Sequence, residues 1–283
     1  MAATLWKEYE TVRIEKEDGI TWVILNRPEK RNAMSPQLHF DMLDALTELE
    51  VDPETQVLVL TGAGESWCAG QDLREYFRAT DKDPAARRKA NWSAQEWRWR
   101  RLYYFPRPTI AMVNGYVMGG AFTQLIACDF AIAAEHATFG LSEVNWGIFP
   151  GGLVSRVVAD AMTHRDAMWY IMTGDPFDAK KAAEMRLINH TVPKEKLREE
   201  TVNLARKLMK KNPQVLRAAK EVFKHCRTME MGQAEEYMLA KARALRLSDP
   251  EKGYETGVEQ FLDAKAYRPG LGEYDRNAPK GKG

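Results

Sequence analysis

Several features that would place a protein in a known compartment or ligand class are missing from this sequence. Cysteine is rare, and Cys68, Cys128 and Cys226 are scattered, odd in number and without CxxC spacing, which argues against a disulfide framework and against a zinc site. No stretch reaches the roughly 18 apolar residues of a membrane-spanning helix. The N-terminus lacks a basic segment followed by an apolar one. We therefore expect a soluble, cytoplasmic protein that binds no metal.

An excess of charge of one sign is also missing. The 41 lysines and arginines nearly cancel the 40 aspartates and glutamates, so no global field attracts nucleic acid or an anionic membrane. The motifs GxxxxGK(S/T), HExxH and an ordered Ser-His-Asp set are absent, and the first βα turn lacks GxGxxG. Their absence disfavours the common kinds of nucleotide binding, zinc hydrolysis and serine hydrolysis.

What is present is an alternation of strand and helix patterns. Residues 11–28 alternate apolar and polar side chains around Asp18-Gly19, which is typical of a β-hairpin. Ser35 is a predicted N-cap, with Pro36 as the first residue of an amphipathic helix. Residues 56–64, QVLVLTGAG, form a short apolar run typical of a strand covered on both faces. This order predicts a right-handed parallel crossover and an α/β fold.

The pattern changes towards the C-terminus. After about residue 165 strand signals nearly vanish, and turns such as Asn212-Pro213 separate helical stretches. We predict an α/β core over residues 1–205, then a helical lobe and tail over residues 206–283, with the last eight residues, RNAPKGKG, disordered. Residues 78–105 are polar and basic with interleaved tryptophans. They fit an exposed helix with one apolar stripe, which we favour, or a mobile cover.

Two glycine-containing turns each follow an expected buried strand. Gly119-Gly120 comes after a strand that ends at Val113, and residues 61–77, TGAGESWCAGQDLREYF, include the second turn. Free amides at such turns attract negative charge, and two converging amides form an oxyanion hole. A tight turn or close packing explains either glycine segment alone. Because both turns follow buried strands, the two together favour a single site at which their amides bind one group.

A carboxylate follows in the segment ATFGLSEVNWGIFPGG, residues 137–152. Glu143 lies between apolar residues, just before a loop rich in glycine and proline. Burial there would raise the pKa of its carboxyl group and suit it to proton transfer. A helix-capping or surface role is the alternative.

Taken in order, these segments resemble the crotonase, or enoyl-CoA hydratase/isomerase, superfamily, from ILNRPEKRNAMS at residues 24–35 to the C-terminal helices. The resemblance implies a crotonase-like ββα spiral core with a C-terminal helical lobe, assembled as a homotrimer or a dimer of trimers. It also implies a substrate carried as a coenzyme A thioester, with no permanently bound cofactor. The main-chain N–H groups of Gln71 and Gly120 would bind the thioester oxygen.

Within the superfamily the chain most resembles the hydroxycinnamoyl-CoA (feruloyl-CoA) hydratase-lyases. Two-carboxylate hydratases have glutamates where Thr123 and Glu143 stand here, whereas hydratase-lyases pair one glutamate with a hydroxyl residue. The resemblance implies that Glu143 is the acid/base and that Thr123 places water or thioester. The expected reaction is hydration of an aryl-propenoyl-CoA and retro-aldol cleavage to an aromatic aldehyde and acetyl-CoA. A hydratase or isomerase without C–C cleavage, and a non-catalytic CoA- or RNA-binding relative, are the alternatives.

The resemblance also implies binding residues. Tyr76 fits one of two tyrosines expected to recognise a ring hydroxyl, but Leu239 stands at the second position. Tyr237 is two residues earlier, about 200° away on a helix, and packing is its alternative role. Trp146 is also expected to contact substrate. The expected coenzyme A-binding residues are Lys30, Arg31, Ala33, Cys68, Ala69, Asp72 and Leu73. For Lys30 and Arg31 a solvated basic turn remains open.

Overall fold

The structure, a computed structural model, describes residues 3–267 and 272–277. It divides into two compact units, Met1–Ala205 and Arg206–Gly283. Residues 278–283 of the tail that we expect to be disordered lie outside the described residues. Within the described residues, no helix combines the length and the apolar character needed to cross a bilayer.

A seven-stranded sheet forms the frame of the N-terminal unit. In spatial order its strands are β1 (Thr4–Glu8), β2 (Val12–Glu17), β3 (Ile20–Leu25), β4 (Val57–Gly62), β6 (Thr109–Val113), β8 (Phe130–Ala134) and β11 (His190–Val192). The strands β1 to β3 are antiparallel, and the strands from β3 to β11 pair in parallel. All six residues of β3 and all six of β4 are buried, because helices and loops cover both sides of these strands.

Local chemistry accounts for the first part of this sheet as predicted. The β2–β3 hairpin turns at Asp18 and Gly19, which have φ of 46° and 84°, the left-handed values that a two-residue hairpin turn needs. The helix α1 (Pro36–Leu49) connects β3 to β4, and its N-cap Ser35 accepts a 3.1 Å hydrogen bond from the Leu38 N–H. The predicted hairpin, cap and parallel crossover are confirmed.

A second sheet of four short strands was not predicted. In spatial order it contains β10 (Pro176–Asp178), β9 (Thr138–Gly140), β7 (Tyr116–Met118) and β5 (Ser66–Cys68). The strands β5, β7 and β9 are parallel, and β10 is antiparallel to β9. Each strand has three residues, too few to show a period-two pattern. Among the described residues after 165, the strands are β10 and β11, of three residues each, which agrees with the expectation of very little strand in this part of the chain.

Helices cover the sheets and form the C-terminal unit. In the N-terminal unit α1 is followed by α2 (Pro84–Gln95), α3 (Ala121–Ala127), α4 (Val154–Ala161), α5 (His164–Thr173) and α6 (Ala179–Glu184). The helix α7 (Leu197–Met209) precedes α8 (Pro213–Cys226), α9 (Met231–Ser248) and α10 (Gly253–Leu262). Short 3-10 helices span Pro28–Lys30, Ser142–Trp146 and Lys194–Lys196, and π-helical turns span Leu73–Arg78 and Glu96–Arg101.

The tryptophan-rich segment is an exposed helix with one buried stripe, which confirms the favoured interpretation. The buried residues of the stripe include Ala90, Ala94 and Trp97, whereas Trp92 is 55% exposed. The spacings of four and three residues place the buried side chains on one face. Arg98, four residues after Ala94, lies on the same face and is also buried.

Candidate active site

The carboxyl ends of three parallel strands meet at one cavity of about 700 Å³. Gly70 and Gln71 follow β5, Gly119 and Gly120 follow β7, and Glu143 follows β9. All five residues line the cavity. Because parallel strands end at the same edge of a sheet, the short sheet brings together segments that are distant in sequence.

The turn after β5 presents the main-chain N–H of Gln71. Gly70 has φ of +90°, and a Cβ atom there would lie 2.7 Å from the Met118 carbonyl oxygen and 3.5 Å from the Gly120 nitrogen. Met34 donates to the Gly70 carbonyl at 2.8 Å and accepts from the Asp72 N–H at 3.0 Å. Successive N–H groups of an extended segment point in opposite directions. The Gln71 N–H therefore points away from Met34.

The turn after β7 presents the main-chain N–H of Gly120. The Gly119 N–H donates to the Gly140 carbonyl at 2.9 Å, which attaches this turn to β9. Among residues 3–267 and 272–277, neither the Gln71 N–H nor the Gly120 N–H has a protein acceptor. These two close, unpaired donors are what an oxyanion hole requires.

The Glu143 carboxyl group lies over the glycine turn. Its Oε1 is 3.1 Å from the position that a Cβ of Gly119 would occupy, so a side chain at residue 119 would crowd the carboxylate. Its Oε2 is buried and has no hydrogen-bond partner within the described residues. Burial raises the pKa of Glu143 above its ordinary value. This carboxyl group is placed to exchange a proton with a bound molecule.

Thr123 lies behind the cavity wall. It is 1% exposed and belongs to α3, and its hydroxyl donates weakly to the Gly152 carbonyl, at 3.4 Å. Gly152 lines the cavity, whereas Thr123 is not among its lining residues. The hydroxyl therefore contacts the loop that borders the site.

The expected acyl-binding residues fall into two groups. Tyr76 and Trp146 line the cavity; the Tyr76 hydroxyl donates to Asn91 Oδ1, and Trp146 is 66% exposed. Tyr237 and Leu239 lie on α9 in the C-terminal unit. The Tyr237 ring packs edge-on against His225 at 5.6 Å, and Leu239 is 53% exposed. Within the C-terminal unit, Tyr237 therefore has a packing role.

Three of the expected coenzyme A-binding residues, Arg31, Ala69 and Leu73, line the cavity. Arg31 has φ of 51°, and its guanidinium carbon lies 5.8 Å from the centre of the Tyr116 ring. Lys30 ends the 3-10 helix Pro28–Lys30 and is exposed. The side chains of Arg31, which lines the cavity, and of its chain neighbour Lys30 are therefore both accessible.

The other expected coenzyme A residues have structural contacts. Asp72 accepts from the main-chain N–H groups of residues 74 and 75 and pairs with Arg27 at 3.1 Å. The thiol of Cys68 is buried beside Gln124, and burial raises its pKa to about 12. The Ala33 carbonyl accepts from Arg27 at 2.6 Å. Because the Cys68 thiol is buried, this residue could contact coenzyme A only through its main-chain groups.

Sequence reasoning missed a buried polar cluster beside the glycine turns. His39 and Trp97 are fully buried and Arg98 is 2% exposed. His39 is hydrogen-bonded to the Gln71 side chain and to the Trp97 indole, and Arg98 donates to the Gly120 carbonyl. The signal was available for Arg98, because residues 94 and 98 share a helix face. His39 lies on the mostly apolar buried face of α1, where its sequence position gives no sign of these contacts.

The profile of the enoyl-CoA hydratase/isomerase family matches residues 15–267, and the chain belongs to this family. Over 269 residues it is 56% identical to a hydroxycinnamoyl-CoA hydratase-lyase from Pseudomonas fluorescens, covering 95% of this chain and 98% of that relative. A crystal structure of an enoyl-CoA hydratase from Bacillus anthracis is 29% identical, with a TM-score of 0.78 over 92% of this chain and 95% of that one. An enoyl-CoA hydratase from Mycobacterium smegmatis shares the fold at 23% identity, with a TM-score of 0.82 over 93% and 99% of the two chains.

These comparisons confirm the predicted family and the crotonase-like α/β fold. The family acts on coenzyme A thioesters, and this chain is an enzyme of that family.

Proposed function

We propose that the chain is a hydroxycinnamoyl-CoA hydratase-lyase, which hydrates an aryl-propenoyl thioester of coenzyme A and cleaves the product to an aromatic aldehyde and acetyl-CoA. One observation supports this most strongly. Glu143 is the only carboxylic acid among the described residues that line the cavity, and it lies beside two unpaired main-chain donors. The 56% identity to a hydroxycinnamoyl-CoA hydratase-lyase supports the same substrate class.

The first step is hydration. The Gln71 and Gly120 N–H groups hold the thioester oxygen while water adds to the β-carbon and negative charge develops on that oxygen. Loss of one such donor typically lowers the rate by about 10²–10³-fold. Glu143 takes a proton from the water as its oxygen bonds to the β-carbon, and Glu143 then returns this proton to the α-carbon of the enolate.

The second step is cleavage. Glu143 takes the proton of the β-hydroxyl group, the C–O electrons form the aldehyde carbonyl, and the Cα–Cβ bond breaks. The electron pair of that bond forms the enolate of acetyl-CoA, whose oxygen occupies the same two amides. Protonation at the α-carbon by Glu143 completes the cycle. One carboxyl group is sufficient because each proton taken is returned.

Other residues have supporting roles in this proposal. Tyr76, whose hydroxyl donates a hydrogen bond to Asn91, contacts the oxygen on the aromatic ring of the substrate. Trp146 covers the acyl group. Thr123 holds the Gly152 carbonyl and so positions the bordering loop. Arg31 and Lys30 attract the phosphates of coenzyme A. We expect a cytoplasmic homotrimer or dimer of trimers.

The test is product analysis with feruloyl-CoA. Vanillin and acetyl-CoA in equal amounts are expected. Accumulation of the β-hydroxy thioester without aldehyde would favour the second candidate, a hydratase or isomerase acting on another acyl-CoA. Leu239 favours that candidate, because it stands where the hydratase-lyases are expected to have a tyrosine. A parallel assay with crotonyl-CoA distinguishes the two.

A further inference from the structure

The orientation of the Gln71 side chain is fixed by a chain of hydrogen bonds. The Trp97 indole N–H lies 2.9 Å from His39 Nδ1, and His39 Nε2 lies 2.9 Å from Gln71 Oε1. An indole can only donate, so His39 Nδ1 accepts. A neutral imidazole then has its hydrogen on Nε2, and this hydrogen is donated to the Gln71 oxygen. The NH2 group of Gln71 is thus directed away from His39.

His39 is held in this neutral form. It is fully buried, and burial together with the nearby positive charge of Arg98 lowers its pKa to about 3. A protonated His39 would have two donors and would oppose the indole N–H. The chain therefore runs in one direction, from Trp97 through His39 to Gln71. Among the described residues, the Gln71 NH2 group has no protein acceptor.

Arg98, which follows Trp97 in the π-helical turn Glu96–Arg101, also lies beside Gly120. A Cβ atom on Gly120 would lie 3.3 Å from Gln71 Cγ and 3.6 Å from Arg98 Nη1. Arg98 Nη1 donates to the Gly120 carbonyl at 3.2 Å, and Nε donates to the Ala94 carbonyl at 2.9 Å. Both side chains line the cavity.

The charge of Arg98 is buried without an anionic partner. Arg98 is 2% exposed, and within the described residues no carboxylate lies at ion-pair distance from it. A buried cation is unfavourable unless an anion or several acceptors lie nearby. Within the described residues, the hydrogen bonds of Arg98 go to neutral main-chain carbonyls and the Gln71 NH2 group has no protein acceptor. Both residues line the cavity, which indicates that the bound molecule supplies the negative charge.

We propose that the Gln71 carboxamide and the Arg98 guanidinium stabilise the negative charge that forms on the thioester oxygen, beside the two main-chain amides. His39 and Trp97 are positioning residues that keep the Gln71 NH2 group towards the acyl group. This inference rests on the proposed function for the identity of the acyl group. Gly120 carries one of the amides for that oxygen, and both Gln71 Cγ and Arg98 Nη1 lie within 3.6 Å of the position that a Gly120 Cβ would occupy.

The first test measures polarisation of the thioester without turnover. In a Glu143→Gln background, feruloyl-CoA and cinnamoyl-CoA are bound, and the red shift of their thioester absorption is recorded. Gln71→Met and Arg98→Met should each reduce the shift for both ligands. A reduction with feruloyl-CoA alone would assign these donors to the ring oxygen and overturn the proposal. An unchanged shift with both ligands would also overturn it.

Turnover gives the second readout. In the otherwise unaltered enzyme, Arg98→Met and Gln71→Met should each lower kcat by about 10- to 100-fold and change KM little. This loss of rate is no larger than the loss typical of removing a direct oxyanion donor. Gln71→Glu should lower kcat further, because a second oxygen replaces the NH2 group. Arg98→Lys should recover part of the lost rate. Exposed Arg88→Met and Gln233→Met, on α2 and α9, are the matched controls.

A double-mutant cycle tests the positioning residues. Trp97→Phe removes the donor to His39, so either ring nitrogen can hold the hydrogen and Gln71 can reverse its amide. This change should lower kcat alone but add nothing in a Gln71→Met background. Additive losses would show that Trp97 acts only on the fold. If Trp97→Phe does not fold, His39→Leu supplies the same cycle. The absorption shift needs no cleavage, so failure of the lyase assay leaves this inference separately testable.

Discussion

The two sheets of the N-terminal unit differ in the length of their strands and in the turns to which those strands lead. In the larger sheet, β3 and β4 have six buried residues each and pair in parallel along their whole length. In the smaller sheet, β5, β7 and β9 have three residues each, and every one leads into a cavity-lining turn. Long strands provide the frame, and short strands place the reactive groups.

Stability and reactivity therefore depend on different segments of the chain. The short strands gain their order from neighbours, as when the Gly119 N–H after β7 donates to Gly140 at the end of β9. Substitutions at the ends of short strands should therefore change the chemistry while the chain stays folded. Substitutions inside the long strands should change stability without changing the mechanism.

The largest effect is expected at the end of β9. Glu143→Gln removes the proton carrier and should lower kcat by about 10³-fold, within the usual range for general acid–base catalysis. Thermal stability should hold or rise, because an unpaired buried carboxyl group is removed. Steady-state kinetics and thermal unfolding measure the two effects. Exposed Glu135→Gln, after β8, is the matched control. Full activity of Glu143→Gln would remove this residue from the mechanism.

The next effect lies in the larger sheet. Leu60→Ala in β4 leaves a cavity at a residue with no exposure and should lower the free energy of unfolding by about 3 kcal/mol. The enzyme that remains folded should retain its kcat. Urea unfolding and active-site-normalised kinetics are the measurements. A large fall in kcat at unchanged stability would contradict the division between the sheets.

Two glycines at turns of the N-terminal unit should differ in their effect on activity. Gly70 and Gly64 both have positive φ, of +90° and +74°, but only Gly70 approaches the turn after β7. Alanine at either position introduces backbone strain of about 1–3 kcal/mol. Gly70→Ala should also displace Met118 and lose most activity, whereas Gly64→Ala should be destabilised but active. If the two variants lose equal activity, the close approach of Gly70 to the turn after β7 is not the reason that residue 70 is glycine.

The smallest effect is a pH dependence of stability. Burial raises the pKa of Glu143 in the folded state above the ordinary value of 4.5. Between these two values the folded state binds more protons than the unfolded chain, so this residue makes the free energy of unfolding fall as pH rises. Glu143→Gln should therefore gain stability relative to the unaltered chain as pH rises through that window. Parallel stability curves in urea would contradict the raised pKa.

The larger sheet was predictable because its signals are local. Asp18-Gly19 specifies a hairpin turn and Ser35-Pro36 a helix start, whatever the rest of the chain does. The smaller sheet was not predictable, since three residues are too few for periodicity and β5, β7 and β9 form only when distant segments meet. The hydrogen bonds that connect Trp97, His39 and Gln71 are equally non-local. Glu143 and the glycine turns were found through their order along the chain.

The most direct test is a crystal structure of the Glu143→Gln variant with an aryl-propenoyl-CoA bound. We expect the thioester oxygen to lie within hydrogen-bond distance, about 3 Å, of both the Gln71 and Gly120 nitrogens, with residue 143 next to the β-carbon. An oxygen directed away from either amide, or an acyl group outside the cavity between β5, β7 and β9, would contradict the proposed mechanism.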